Sequence, residues 1–193
     1  ANTVSPLDRS NRRGFRCVKY LTQPGGEELQ EITLAIREYT ITDPVSDELF
    51  ESYKNQFNYD DSPLNATLIE RELDESDLYI KEIWEIDAAY NGERIIIYVH
   101  LPRNFKGPFQ SLVYFHHAGS IQPTSISDSV LGADRYAFAN QSGRAFIQPV
   151  LKGMYDRNDG LKTWSANDSQ QYADFLIKWI KDYKRTIDFI VSR

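Results

Sequence analysis

The chain has 193 residues, of which 41% are hydrophobic and 26% charged, enough for one domain with its own core. Its formal net charge of −6 comes without a basic stripe and argues against nucleic acid or an anionic membrane as a partner. The single cysteine, Cys17, excludes an intrachain disulfide and a cysteine-rich metal site, and no cofactor is indicated. The sequence has neither an apolar run of roughly 18 residues nor a signal-peptide segment at its start, so a cytoplasmic placement is favoured.

The first third of the chain predicts one helix among turns. Residues 1–20 are polar and end in a short strand pattern, GFRCVKY, in which Cys17 is expected to be buried. Ser46 stands where a helix N-cap is expected, with acidic residues directly after it. The pattern therefore predicts a helix over residues 47–56, and a strand is expected near residues 66–71.

Two strand patterns follow, over residues 79–90 and 94–101, with the dipeptide Asn91-Gly92 between them. Asn-Gly is a strong hairpin signal because both residues accept the positive φ angles of a type I′ turn. The second pattern is nearly all apolar. We therefore predict an antiparallel hairpin that leads into a buried sheet.

The stretch QSLVYFHHAGS, residues 110–120, is the centre of the predicted fold. Residues 112–115 form an apolar run without alternation, which predicts a strand in the middle of a sheet, covered on both faces by helices. The small residues after it are expected to turn several backbone N–H groups towards one point. Such a point stabilises an anion or a developing oxyanion.

The last third of the chain completes a mixed pattern. It predicts a helix over residues 129–140, a strand over 144–151, a turn over 152–157 and a long amphipathic helix over 169–193. Hairpin, strand, helix, strand and helix in this order predict an α/β fold. We expect a mixed sheet with an antiparallel edge hairpin and flanking helices.

The sequence contains three histidines, which are candidates for metal binding or acid–base chemistry. His116 and His117 are adjacent, and neighbours on a strand point to opposite faces, so they do not chelate one ion together. No metal site is therefore predicted. We expect His116 to be a packed or hydrogen-bonded residue at the strand end, His117 to begin the loop, and His100 to be structural.

The remaining polar candidates are serines and a short polar segment after the last predicted strand. None of the serines has the strained turn of a catalytic nucleophile, and they are candidates by residue type alone: Ser120, Ser125, Ser127, Ser142 and Ser165. Tyr155, Asp156 and Arg157 lie at the carboxyl end of the predicted sheet. Two interpretations stay open for this segment, a pocket lining and an ion pair that holds the loop.

Four strings resemble the first half of an α/β-hydrolase of the esterase or peptidase type, as found in bacterial multidomain protein kinases. They are DAAYNGERIIIYVHLP, QSLVYFHHAGS, SGRAFIQPVLKGMYDR and YKRTIDFIVSR. In addition, GFRCV at residues 14–18 resembles the end of a formylglycine-generating-enzyme-like (sulfatase-modifying factor) domain. The resemblance implies a domain tail at 1–20, an N-terminal extension with one helix at 21–78, and half of a partial α/β-hydrolase core at 79–193.

The resemblance also implies roles. One oxyanion-hole N–H comes from the loop after the family's third strand, here His117, Ala118, Gly119 and Ser120, and the nucleophile follows on a G-x-S-x-G turn after a later strand. No G-x-S-x-G occurs in this sequence, so no catalytic triad residue is assigned and the chain alone is expected to be inactive.

The parent protein would act on a small-molecule ester or a peptide. The alternative is a non-catalytic binding or structural module of a kinase-associated signalling protein. An exposed sheet edge would favour self-association.

Overall fold

The computed structural model describes residues 21–23, 25–26, 30, 43–74, 77–121, 126, 136–161 and 166–193. The chain divides into two compact units, residues 1–44 and 45–193. The strand pattern ending at residue 20, with Cys17, lies outside the described residues. The second unit contains every element below, and the predicted boundaries at 20/21 and 78/79 stay predictions.

The second unit is built on a five-stranded sheet in the order β1-β2-β3-β5-β4. Its strands are β1 Thr67–Leu73, β2 Tyr79–Asp87, β3 Arg94–Pro102, β4 Ser111–Val113 and β5 Ala145–Pro149. Neighbouring strands are antiparallel except β4 and β5, which are parallel. The predicted fold class, an α/β mixed sheet with an antiparallel edge hairpin, is confirmed.

The hairpin between β2 and β3 turns where Asn-Gly predicts it. Asn91 and Gly92 have φ angles of 54° and 63°, the two positive values of a type I′ turn. The Ala88 N–H donates to the Glu93 carbonyl at 2.8 Å. This turn fixes a register in which Ile86 pairs with Ile95, so both side chains face the core.

Three α-helices are described: α1 Asp47–Asn55, α2 Ala137–Gln141 and α3 Gln170–Val191. The Ser46 and Ser169 hydroxyls accept the N–H groups of Leu49 and Tyr172, at 3.3 and 3.2 Å, and cap α1 and α3. Both helices are as predicted. Of the helix predicted over residues 129–140, the part from Ala137 on is described and is helical. Among the described helices, none is long and apolar enough to cross a membrane.

The position predicted for β4 is wrong. β5 pairs between β3 and β4, so β4 is the outermost described strand on its side of the sheet. β4 itself is half-buried, and the two residues that follow it contact rings of other elements. The Phe115 ring lies 5.7 Å from the Tyr183 ring of α3, although Phe115 is 42% exposed, and the Tyr114 ring lies 5.2 Å from the Tyr136 ring beside α2. An apolar run therefore does not distinguish a central strand from an outer one.

The core has two parts, and α3 contributes to both. One part lies on a face of the sheet, where Phe189 packs with the inward side chains of β2, β3 and β5. The other lies around residues 150–161, where Phe175 and Trp179 pack with Leu151 and Met154. The segment that follows β5 is therefore held against the first half of α3.

Candidate functional site

Two segments meet at one end of the sheet because β4 and β5 run parallel, so their carboxyl ends lie at the same edge. We call residues 116–121 the β4 loop and residues 151–158 the β5 turn. The β4 loop contains a 3₁₀ turn, Ala118–Ile121, and the β5 turn contains another, Tyr155–Arg157. The Tyr155 hydroxyl donates to the Ser120 hydroxyl oxygen at 2.8 Å, and both residues are about 1% exposed.

The backbone N–H groups of the β4 loop differ in their partners. The Gly119 N–H donates to Nδ1 of His117 at 3.0 Å, and the Ser120 N–H donates to the His117 carbonyl at 3.0 Å. The N–H groups of His117 and Ala118 have no acceptor among the residues that the structure describes, and both residues are exposed. As far as the described residues go, two donors at the carboxyl end of β4 are thus available to a ligand.

Ser120 is not placed as a nucleophile in this structure. Its hydroxyl is buried and accepts the Tyr155 O–H, so it faces the protein interior. Ser142 caps the end of α2 with a bond from its hydroxyl to the Ala139 carbonyl at 2.8 Å. Ser125, Ser127 and Ser165 lie outside the described residues.

His116 is packed beneath the loop, as expected. Its ring makes edge contacts with the Tyr114 and Tyr155 rings, at centroid distances of 4.9 and 5.1 Å. Neither ring nitrogen makes a hydrogen bond of full geometry, and the nearby Pro149 carbonyl favours the protonated form without outweighing burial. Burial lowers the pKa of His116 to about 4, so the ring is neutral at pH 7.

His100 is a second buried histidine, on β3. Its ring lies 4.6 Å from the Tyr79 ring and 6.0 Å from the Phe146 ring, and burial lowers its pKa to about 4. Within the described ranges, no group of three or more His, Cys, Asp or Glu side chains has the arrangement of a metal site. The structural interpretation of His100 fits these surroundings.

Tyr155 has an unusual backbone conformation. Its φ angle is 45°, in the left-handed region that a bulky residue rarely adopts. The β5 turn fixes this conformation: Gly153 has φ of 77°, its N–H donates to the Arg157 carbonyl at 3.0 Å, and the Asn158 N–H donates to the Tyr155 carbonyl at 2.9 Å. Such strain persists only where the surroundings enforce it, and it concentrates at functional sites.

Arg157 makes an ion pair, which was one of the two interpretations left open. Its partner is Asp182 in the middle of α3, at 2.6 Å, and a second carboxylate, Glu93, lies 3.3 Å away. Asp156 instead accepts the Ile126 N–H at 3.2 Å. The guanidinium of Arg157 is thus committed to holding the β5 turn.

Asp182 was not singled out from the sequence. Its carboxylate is fully buried and also accepts the Tyr90 hydroxyl at 2.7 Å and the Lys152 N–H at 2.9 Å. Burial raises the pKa of this carboxyl, and Arg157, Tyr90 and Lys152 oppose that rise. A signal was present: Asp182 lies three residues after Trp179 and seven before Phe189, on the apolar stripe of α3, where a charge requires a partner.

A cavity of about 460 Å³ lies on the sheet face covered by the end of α3. Its wall is mostly apolar, with Val99, Leu101, Phe109, Ile147 and Phe189, and also includes Arg193. None of the predicted site residues is part of this wall. A pocket-lining role for Tyr155, Asp156 and Arg157 therefore stays a prediction.

No protein-family model matches the chain, and no curated protein matches it. Three solved structures are similar to it in fold. They are an acetyl xylan esterase from Paenibacillus sp. R4 (17% identity, TM-score 0.49), a protein from Bacteroides fragilis NCTC 9343 assigned as an acetyl xylan esterase (17%, 0.46), and a promiscuous CE15 esterase from a marine bacterial metagenome (10%, 0.42).

The likenesses cover 76%, 75% and 76% of this chain and 46%, 40% and 48% of those three structures, in the same order. The chain thus spans less than half the length of each of them.

Proposed function

We propose that this chain is the oxyanion-loop part of a serine hydrolase that transfers the acyl group of a small-molecule ester or a peptide to water. The observation that carries the proposal is that the N–H groups of two exposed residues at the carboxyl end of β4, His117 and Ala118, have no acceptor among the described residues. Backbone donors stabilise the negative charge that develops on the carbonyl oxygen during acyl transfer. They need no change in protonation, so their action is independent of pH.

The triad is assigned to polypeptide other than these 193 residues. Ser120 is buried, and the sequence contains no G-x-S-x-G turn. In the family that the sequence resembles, the nucleophile, acid and histidine all follow this region in chain order. The chain alone would then bind and polarise a carbonyl without cleaving it. We also propose that the parent is a bacterial multidomain protein, kinase-associated, with residues 1–20 as the tail of a sulfatase-modifying-factor-like domain.

The test compares the chain with a longer protein that adds the coding sequence following Arg193. We expect hydrolysis of a short-chain p-nitrophenyl ester by the longer protein and none by residues 1–193. A fluorophosphonate probe should label a serine outside these residues. An inert longer protein that nevertheless binds a partner would overturn the proposal and favour a binding module.

A pair of variants at Ala118 tests the donors themselves. Ala118→Pro removes one N–H and suits the first position of the 3₁₀ turn, where a proline ring fits. We expect kcat of the longer protein to fall by about 10². Ala118→Gly keeps the N–H and should retain activity within a few-fold; equal kcat in the two variants would contradict the role of this donor.

A further inference from the structure

We infer that Tyr155 is a positioning residue: through Ser120 it holds the β4 loop so that the peptide group carrying the Ala118 N–H keeps its orientation. The inference rests on the proposed function, because that function assigns this N–H group to an oxyanion. It adds a residue from a different segment, the β5 turn, that does not itself touch the reacting atoms.

Side chains of the β5 turn hold the β4 loop. Among the described residues, two hydrogen bonds reach the loop from side chains outside it, and both come from the β5 turn. The Tyr155 hydroxyl donates to the Ser120 hydroxyl at 2.8 Å, and the Asn158 side-chain amide donates to the Ile121 carbonyl at 3.0 Å. The first bond is buried and the second only partly, so Tyr155 supplies the better protected of the two.

The bond between Tyr155 and Ser120 is linked to the Ala118 N–H through one peptide group. The Ser120 N–H holds the His117 carbonyl at 3.0 Å. That carbonyl and the Ala118 N–H belong to one planar peptide group and point in opposite directions. Fixing Ser120 therefore fixes the direction of the Ala118 N–H. If the Ser120 side chain loses its anchor, this peptide group can rotate and the donor loses its aim.

The backbone of Tyr155 is strained. A φ of 45° suits glycine or asparagine, whereas tyrosine adopts it at a cost in free energy. The conformation brings the side chain under the loop, where the ring also meets the edge of the His116 ring at 5.1 Å. The strain is thus accompanied by a buried contact that only a long side chain with a terminal hydroxyl can make.

The test uses Tyr155→Phe, which removes the hydroxyl and keeps the ring, and Ser120→Ala, which removes its acceptor. In the longer protein we expect each variant to lower kcat by about tenfold with KM unchanged, since the lost interaction aligns donors used in the transition state. The double variant should be no slower than either single one, because both remove the same bond. Tyr79→Phe is the matched control: Tyr79 is also buried, and its hydroxyl donates to Asp74 at 2.6 Å, away from the loop.

A second readout does not depend on catalysis. In residues 1–193, amide hydrogen exchange at Ser120 should be about tenfold faster in Tyr155→Phe and unchanged in Tyr79→Phe. Unchanged kcat and unchanged exchange in Tyr155→Phe would overturn the inference and leave the proposed function standing. If the longer protein is inert but exchange is faster in Tyr155→Phe, the proposed function is overturned and the role of Tyr155 as an anchor of the loop stands. If the longer protein is inert and exchange in Tyr155→Phe is unchanged, both are overturned.

Discussion

The β4 loop and the β5 turn lie at the same end of one sheet, yet they are held in different ways. The β5 turn is fixed from α3 at several points: the Trp179 indole N–H donates to the Lys152 carbonyl at 2.6 Å, and Asp182 binds both the Lys152 N–H and Arg157. The β4 loop bonds mainly to itself, through His117, and otherwise to the β5 turn. The free donors are therefore on the less constrained segment, and the strained, buried segment supports it.

This contrast separates two kinds of residue. Changes in the β5 turn and its anchors are expected to act on the stability of the whole unit, because they leave buried polar groups without partners. Changes at residues 117–119 of the β4 loop are expected to act locally, because this part of the loop is not buried. The predictions below test the contrast in decreasing order of expected effect on the free energy of unfolding.

The largest effect is expected for Asp182→Ala. The change leaves the Arg157 guanidinium, the Tyr90 hydroxyl and the Lys152 N–H without their shared acceptor, at a cost of about 3–5 kcal/mol. Urea denaturation measures the loss. Asp174→Ala, at an exposed position of the same helix, should cost less than about 0.5 kcal/mol. Similar losses in the two variants would show that the β5 turn does not depend on its buried anchor.

The second effect is a loss of stability in mild acid. The folded protein holds the pKa of His116 and of His100 at about 4, below the ordinary histidine value of 6.5. The contribution of the two neutral histidines to the free energy of unfolding is thus complete above pH 6.5. It is lost as the pH falls towards 4, because the unfolded chain binds protons at a higher pH than the folded protein does. For His116 alone, the difference corresponds to about 3 kcal/mol.

The measurement is the free energy of unfolding between pH 7 and 4, in the wild type and in His116→Phe. The variant keeps an aromatic ring between Tyr114 and Tyr155 but cannot titrate, so its pH dependence should be shallower. His117→Phe is the matched change at the exposed neighbour. If the free energy of unfolding falls equally with pH in His116→Phe and in the wild type, burial of the neutral His116 ring does not contribute to the pH dependence.

A third prediction concerns the tight packing of the β5 turn on α3. Gly153 has φ of 77°, and a Cβ there would lie 2.4 Å from Cε1 of Phe175. We expect Gly153→Ala to cost about 2 kcal/mol, from backbone strain and the clash together. Gly160→Ala has the strain alone, since φ is 96° but no atom lies within 4 Å of the new Cβ. If both variants lose the same stability in urea, the close approach to Phe175 contributes nothing.

The smallest effect is expected in the β4 loop. A Cβ on Gly119 would lie 2.6 Å from Cε1 of the exposed His117 ring, which can move away. Gly119→Ala should therefore cost less than about 1 kcal/mol and should break the bond from the Gly119 N–H to His117 Nδ1. His117→Ala breaks the same bond without a clash. We expect faster hydrogen exchange of the residue 119 amide in both variants, with little change in the free energy of unfolding measured in urea. A large loss of stability would contradict this prediction.

The local elements could be predicted from the sequence because their signals are local. Asn91-Gly92 places the hairpin turn, Ser46 caps α1, and the apolar stripe defines α3. These signals depend on φ preference, capping and periodicity within a few residues. The same signals do not say what a stripe packs against: α1 has an apolar side that is largely exposed, with Phe50 56% accessible.

The sequence by itself therefore determined most of the described elements, the α/β class and where along the chain the β4 loop lies. Only the tertiary structure decided that β4 is the outermost described strand on its side, that Arg157 pairs with Asp182, and that Tyr155 holds Ser120. Each of these three facts joins residues far apart in the chain. Such pairings follow from the order of strands in the sheet and from the burial of charge between packed elements, which no local pattern encodes.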